Sequence, residues 1–156
     1  MQKDLNDTIY KEYGLSEKDL EHKQFLALMV EIGEFANETR CFKYWSKKDP
    51  SEKWKTLEEY VDILHFILTV GLRYRHHKLI KHYSLHIAER TDLTRALICL
   101  YESVLDFRKA PSIENYLNLW MQFLSVGKVA GFNENDIYDA YVIKNKVNYE
   151  RQAEGY

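Results

Sequence analysis

Apolar residues recur at steps of three and four over most of this chain, the spacing of one face of an α-helix. Phe25, Leu28, Met29, Ile32, Phe35 and Ala36 form one such series. Ser16 stands before it as a cap, with Asp19 three residues on, so a helix is predicted from there to about Cys41. Trp54, Leu57, Val61, Leu64, Ile67 and Leu68 form a second series, reaching about Tyr74. Its predicted start is Asp49 as cap and Pro50 at the first helical position, with Glu52 in the first turn. Further helices are predicted over residues 91–108, ending before Pro111, and over 113–130, where Gly131 terminates the run. A last one starts at Asn133 with Asp136 and reaches about Arg151. Residues 75–89 follow no clear period, and their histidines His76, His77, His82 and His86 lack a convincing ligand spacing; they read as a solvated basic connection. The expectation is an all-α bundle of about five main helices.

Composition narrows this little. A chain of 156 residues without a repeat, low-complexity tract or linker reads as one domain, 1–156. A formal charge of −2 lacks the basic excess of a general nucleic-acid binder. Cys41 and Cys99 make no disulfide framework and read as reduced, half-buried thiols. No apolar run approaches the ~18 residues that span a bilayer, and the Met1-Gln2-Lys3-Asp4 start lacks a signal-peptide pattern. A cytoplasmic protein, bound neither to membrane nor to nucleic acid, is expected.

The charged residues change the picture more. Glu31 and Glu34 stand three apart on the first long helix, and Glu59 and Asp62 repeat the arrangement on the second. One such pair is ordinarily a solvated helix face. In an antiparallel hairpin, however, residues at equal height have position numbers with a constant sum. Glu31 with Asp62 and Glu34 with Glu59 share that sum, which centres the turn between Ser46 and Lys47, inside the predicted break. Four carboxylates then lie level across one groove, amid Val30, Ile32, Phe35, Val61, Ile63 and Leu64. Their mutual repulsion calls for cations, and hard oxygen ligands favour magnesium, manganese or calcium over zinc. Magnesium keeps positions open for water and phosphate, so phosphoryl chemistry at a two-metal site is the natural use. Glu38 and Lys55 also share the constant sum, which reads as a salt bridge. His65, three after Asp62, raises a di-iron bundle, but neither Glu31 nor Glu34 has a histidine partner at that spacing. His65 reads as structural.

The ExxE motif, a 24-residue interval and then ExxD resemble the signature of the all-α nucleoside triphosphate pyrophosphatases, the superfamily of dimeric dUTPases and MazG-like enzymes. Residues 31–46, with Phe42-Lys43-Tyr44-Trp45-Ser46, look like the dimeric dUTPase branch of bacteria and their phages. So do residues 58–66 and the terminal run 141–156. The specific resemblance covers about residues 22–66 and 138–156. It implies magnesium, two or more ions per site with manganese possible, on Glu31, Glu34, Glu59 and Asp62. It implies water attack at the α-phosphorus of dUTP to give dUMP and pyrophosphate, acceptance of dUDP, and a homodimer. One of the first pair of glutamates, Glu34 ahead of Glu31, would take the proton of the attacking water.

On the terminal helix, Tyr141, Lys144, Asn145, Asn148 and Arg151 share one polar face. Given the resemblance, Lys144 and Arg151 are expected to neutralise phosphates and Asn145 or Asn148 to meet a pyrimidine edge or the sugar; otherwise this is an exposed terminal helix. Trp45 either covers the nucleotide, with Lys43 on a phosphate, or plugs a gap in the core. Gln24, two turns before Glu31, is a candidate reader of the uracil edge. Two rival functions stand beside dUTP hydrolysis. One is a pyrophosphatase for dCTP or a modified nucleotide, since the acids leave the base unspecified. The other is a nucleotide-sensing module that binds a regulatory protein partner.

Overall fold

A computed structural model describes residues 1–87 and 89–154. Six α-helices run through them, with no strand among the described residues: α1 Gln2–Glu12, α2 Glu21–Thr39, α3 Lys53–Arg73, α4 Leu93–Lys109, α5 Ile113–Val129 and α6 Glu134–Ala153. The all-α class is as expected. The number of helices is one more, because α1 carries few apolar positions beyond Leu5 and Ile9 and shows no period long enough to read.

Helices α2 and α3 form the antiparallel hairpin, and α4 and α5 form a second one against it. The apolar series interlock as ridges between the two. Phe25, Leu28, Ile32 and Phe35 of α2 and Tyr60, Ile63, Ile67 and Val70 of α3 are buried, with Leu100, Val104 and Phe107 of α4 and Tyr116, Leu119, Phe123 and Val126 of α5. Tyr60 stacks on Phe123 with ring centres 4.3 Å apart and donates its buried hydroxyl to the Phe123 carbonyl at 2.9 Å. Backbones approach closely where the chain uses glycine. A Cβ on Gly71 would lie 1.9 Å from the Tyr116 hydroxyl oxygen.

Helix starts follow side-chain chemistry in the second half of the chain. Asp92, Ser112 and Asn133 each accept a hydrogen bond from the backbone N–H three residues on, opening α4, α5 and α6. The first half departs from expectation. Ser16 makes no side-chain cap; a single 3₁₀ turn, Glu17–Leu20, leads into α2. Helix α2 stops at Thr39, where Arg40 turns left-handed at φ 57°. Neither Asp49 nor Pro50 opens α3, which begins at Lys53. The reason lies in the Ser51 backbone N–H, which donates to the Glu38 carbonyl at 3.0 Å, while the Ser51 hydroxyl donates to the Glu38 carboxylate. That tie holds the strand of chain against α2 until residue 52. Lys55 then reaches Glu38 at 3.3 Å, the salt bridge that equal height requires.

Helices α1 and α6 pack against α3. The terminal helix is polar, yet Tyr141 and Asn145 are buried by this contact, so it is no exposed appendage. Within the stretch 75–89, of which Ala88 lies outside the described residues, the chain makes two short 3₁₀ turns, His76–Lys78 and Ile80–His82. Cys41 and Cys99 are free and half-buried. Among the described residues, no helix is long and apolar enough to cross a membrane.

Candidate functional site

Spacing of three along α2 and α3 puts Glu31 and Glu34 opposite Glu59 and Asp62. One carboxylate oxygen each from Glu31, Glu34 and Glu59 lies within 4.8 Å of the others. Asp62 is held differently. Lys144 of α6 ion-pairs with it at 2.7 Å and with Glu58 at 2.8 Å, and only 12% of the lysine side chain is exposed. Among the described residues, no lysine forms such a pair with Glu31, Glu34 or Glu59.

The electrostatics follow from that imbalance. Burial, then the charges of Asp62, Glu34 and Glu59, raise the Glu31 carboxyl from 4.5 to about 7. Burial, then Asp62 and Glu34, raise Glu59 as well. Burial raises Asp62 although Lys144 opposes it. Lys144 is itself raised: burial disfavours its charge, and the hydrogen bonds to Asp62 and Glu58 outweigh that. Three carboxylates within reach of one point, Glu31 and Glu59 half-buried and Glu34 exposed, suit a hard divalent cation such as magnesium. The donor set fits the metal.

Glu31 and Asp62 border a cleft of about 390 Å³, a size usual for small-molecule sites. Glu31, Asp62, Lys144, Asn148 and Arg151 stand at one end; Gln2, Asn6 and Thr69 stand at the other, with His65 and Phe66 between. Asp62 and Thr69 are seven residues apart on α3, about 10 Å at the helical rise. The far end is a buried hydrogen-bond network. The Gln2 side-chain oxygen accepts from the Tyr141 hydroxyl at 3.2 Å and lies 2.6 Å from His65 Nδ1. The Gln2 amide nitrogen donates to Asn6 Oδ1 at 3.0 Å and to Thr69 Oγ1 at 3.2 Å, and Thr69 donates to Asn6 Oδ1 at 3.2 Å. Burial, and then the charge of Lys144, lower His65 to about 4, so the ring is neutral near pH 7.

Most residues singled out in the sequence meet here, but not all. Lys144, Asn148 and Arg151 line the cleft; Tyr141 joins the network, and Asn145 is 97% buried with its Nδ2 unpartnered. Gln24 lines the cleft, but its amide is engaged at both ends, donating to Tyr10 Oη at 2.6 Å and accepting from Arg73 Nε at 2.8 Å. Each of these contacts uses one of the two donors or one of the two lone pairs of the amide. Lys43 and Trp45 lie at the hairpin tip and do not line this cleft. Lys43 binds the Asn37 side chain, and Trp45 is 65% exposed against Phe42 and Tyr44 rather than plugging the core. Gln2, Asn6, Thr69 and Phe66 were not foreseen. The one sequence signal for the first two is their i, i+4 spacing beside Leu5 and Ile9.

An all-helical chain whose hairpin carries paired acids at the edge of a cleft defines a helical phosphohydrolase. The family model described as dUTPase matches residues 1–156, and the chain belongs to this all-helical dUTPase family. It is a hydrolase of the dUTP pyrophosphatase type. No curated protein matches the chain.

Proposed function

We propose that the cleft hydrolyses dUTP, and dUDP as a second substrate, in a magnesium-dependent reaction that yields dUMP. The observation that carries this reading is the level set of carboxylates at one end of a cleft whose other end offers a buried amide network, about 10 Å away along α3. That span matches a nucleotide laid with phosphates at the acids and base at Asn6.

Glu31, Glu34, Glu59 and Asp62 would hold two or more magnesium ions, with manganese as a substitute. When bound, the metal supplies positive charge for the phosphate oxygens and acidifies water. The remaining work belongs to side chains. Glu34, the more exposed of the first pair, accepts the proton as water oxygen bonds to the α-phosphorus, with Glu31 as its support. The bond from that phosphorus to the bridging oxygen breaks, and pyrophosphate departs (phosphate, from dUDP). Arg151 and Lys144 border the phosphate end and offset its charge; Asn148 borders the sugar. Asn6 Nδ2, the amide end that the network leaves over, donates to a base carbonyl. The protein acts as a homodimer in this reading, and the exposed tip bearing Lys43 and Trp45 covers the cleft of the second copy. We place the enzyme in the cytoplasm.

Pyrophosphate release from dUTP with magnesium is the test. Glu34→Gln and Asp62→Asn should each lower turnover by at least ~100-fold. Full turnover in either variant refutes the ligand assignment, and preference for a non-uracil nucleotide in a substrate panel refutes the base assignment.

A further inference from the structure

Glu58 stands four residues before Asp62 on α3, so the two carboxylates lie on one helix face, where like charges repel. Lys144 of α6 comes between them. Its ammonium lies 2.8 Å from Glu58 Oε1 and 2.7 Å from Asp62 Oδ2. An ammonium has three N–H donors and no acceptor. Two are spent on these oxygens, and one remains. Lys144 also borders the cleft, beside Asn148 and Arg151, so the third donor is what this cation can offer a phosphate.

Glu58 itself faces elsewhere. It borders a separate groove, with Trp54, Leu57, Ile143 and Val147, and is not among the residues that line the cleft. Lys144 lines both hollows and passes between them. Asp62 alone would leave a long, flexible lysine on a single anchor. Glu58 is the second anchor, and a cation held from two sides needs no rearrangement when charge arrives in front of it. On Asp62 the lysine takes Oδ2 and leaves Oδ1, the usual part of a hydrogen-bond partner behind a metal-binding carboxylate.

We propose that Glu58, a positioning residue outside the cleft, holds the Lys144 ammonium where one cation serves both Asp62 and a substrate phosphate. By charge alone, a carboxylate at this place repels a triphosphate and weakens its binding. As the anchor of Lys144 it strengthens that binding. The two effects have opposite signs, which makes them separable. The inference rests on the reading that the phosphates lie at Lys144.

The experiment is calorimetry with magnesium and a non-hydrolysable dUTP analogue on the wild type, Glu58→Gln, Lys144→Met and the double variant. Glutamine removes the charge and keeps the size, at a side chain 42% exposed. Glu58→Gln should weaken binding at least ~10-fold. With Lys144→Met as background the anchor has nothing to hold, and the same substitution should leave binding unchanged or tighten it. Equal or tighter binding in Glu58→Gln alone overturns the proposal, and so does the same loss in both backgrounds. Should Lys144→Met fail to fold, the sign in Glu58→Gln still decides. If Lys144→Met binds and turns over like the wild type, the placement of phosphates at Lys144 fails and the inference with it. A loss in Lys144→Met with none in Glu58→Gln overturns the role of Glu58 and spares that placement. Turnover gives a second reading: kcat for dUTP should fall in Glu58→Gln and be no lower in the double variant than in Lys144→Met, whereas two losses that multiply overturn the coupling.

Discussion

Replacing Glu31 by glutamine should make the metal-free protein more stable while removing its ability to use metal. Burial and the charges of Asp62, Glu34 and Glu59 hold the Glu31 carboxyl at about 7 instead of 4.5. A displacement of that size is worth about 3 kcal/mol at full strength. Water reaches this half-buried group and screens it, which reduces the figure to about 1–2 kcal/mol. The sign is set by the direction. The folded state binds the proton more tightly than the unfolded chain, so there is no penalty below pH 4.5. The penalty grows as pH rises through that window and is complete above about 7. Thermal unfolding in EDTA at pH 8 should therefore place Glu31→Gln about 2–8 °C above the wild type, and at pH 4.5 the two should coincide. Adding magnesium should raise the wild-type midpoint and move the variant much less. A variant that melts at or below the wild type at pH 8 would show that Glu31 is not held against its charge, and the case for a cation there would fall.

Two further substitutions probe the frame of the site. Gly71→Ala puts a Cβ 1.9 Å from the Tyr116 hydroxyl oxygen of a buried ring, and overpacking of this kind should cost about 1–3 kcal/mol in urea unfolding; an unchanged midpoint would mean that α3 and α5 separate easily. Gln24→Ala strips Tyr10 and Arg73 of their partner and should cost about 1–2 kcal/mol, yet leave the dUTP:dCTP ratio unaltered. A shift in that ratio would return Gln24 to the base.

The hairpin was legible because its register rests on arithmetic that side chains obey. Glu38 meets Lys55 as equal height requires, and the same register brings Glu31, Glu34 and Glu59 together. Asn133, as cap, and Gly131, at φ +79°, likewise mark boundaries through local chemistry, which a sequence displays directly. Where long-range contacts decide, the reading failed. Asp49 and Pro50 look like a helix start, but Ser51 is tied to Glu38 instead. Helix α1 has too thin an apolar stripe to declare itself, so Gln2 and Asn6 went unseen. Gln24 shares the face of Glu31, and nothing local reveals that Tyr10 and Arg73 each take one side of its amide. On α6, the three- and four-residue spacing brings Lys144, Asn148 and Arg151 to the cleft. The burial of that helix on α3, and the capture of Lys144 by Asp62 and Glu58, belong to tertiary packing. Of the terminal segment, Gly155 and Tyr156 lie outside the described residues.

In the proposed function a metal-bound triphosphate lies at the four carboxylates with its base at Asn6. A crystal structure with manganese and a non-hydrolysable dUTP analogue, read by anomalous scattering, tests it most directly. The expected result is manganese among Glu31, Glu34, Glu59 and Asp62, in contact with the phosphates, and a uracil carbonyl within hydrogen-bond distance of Asn6 Nδ2. Manganese bound elsewhere, or a base directed away from Asn6, would contradict it.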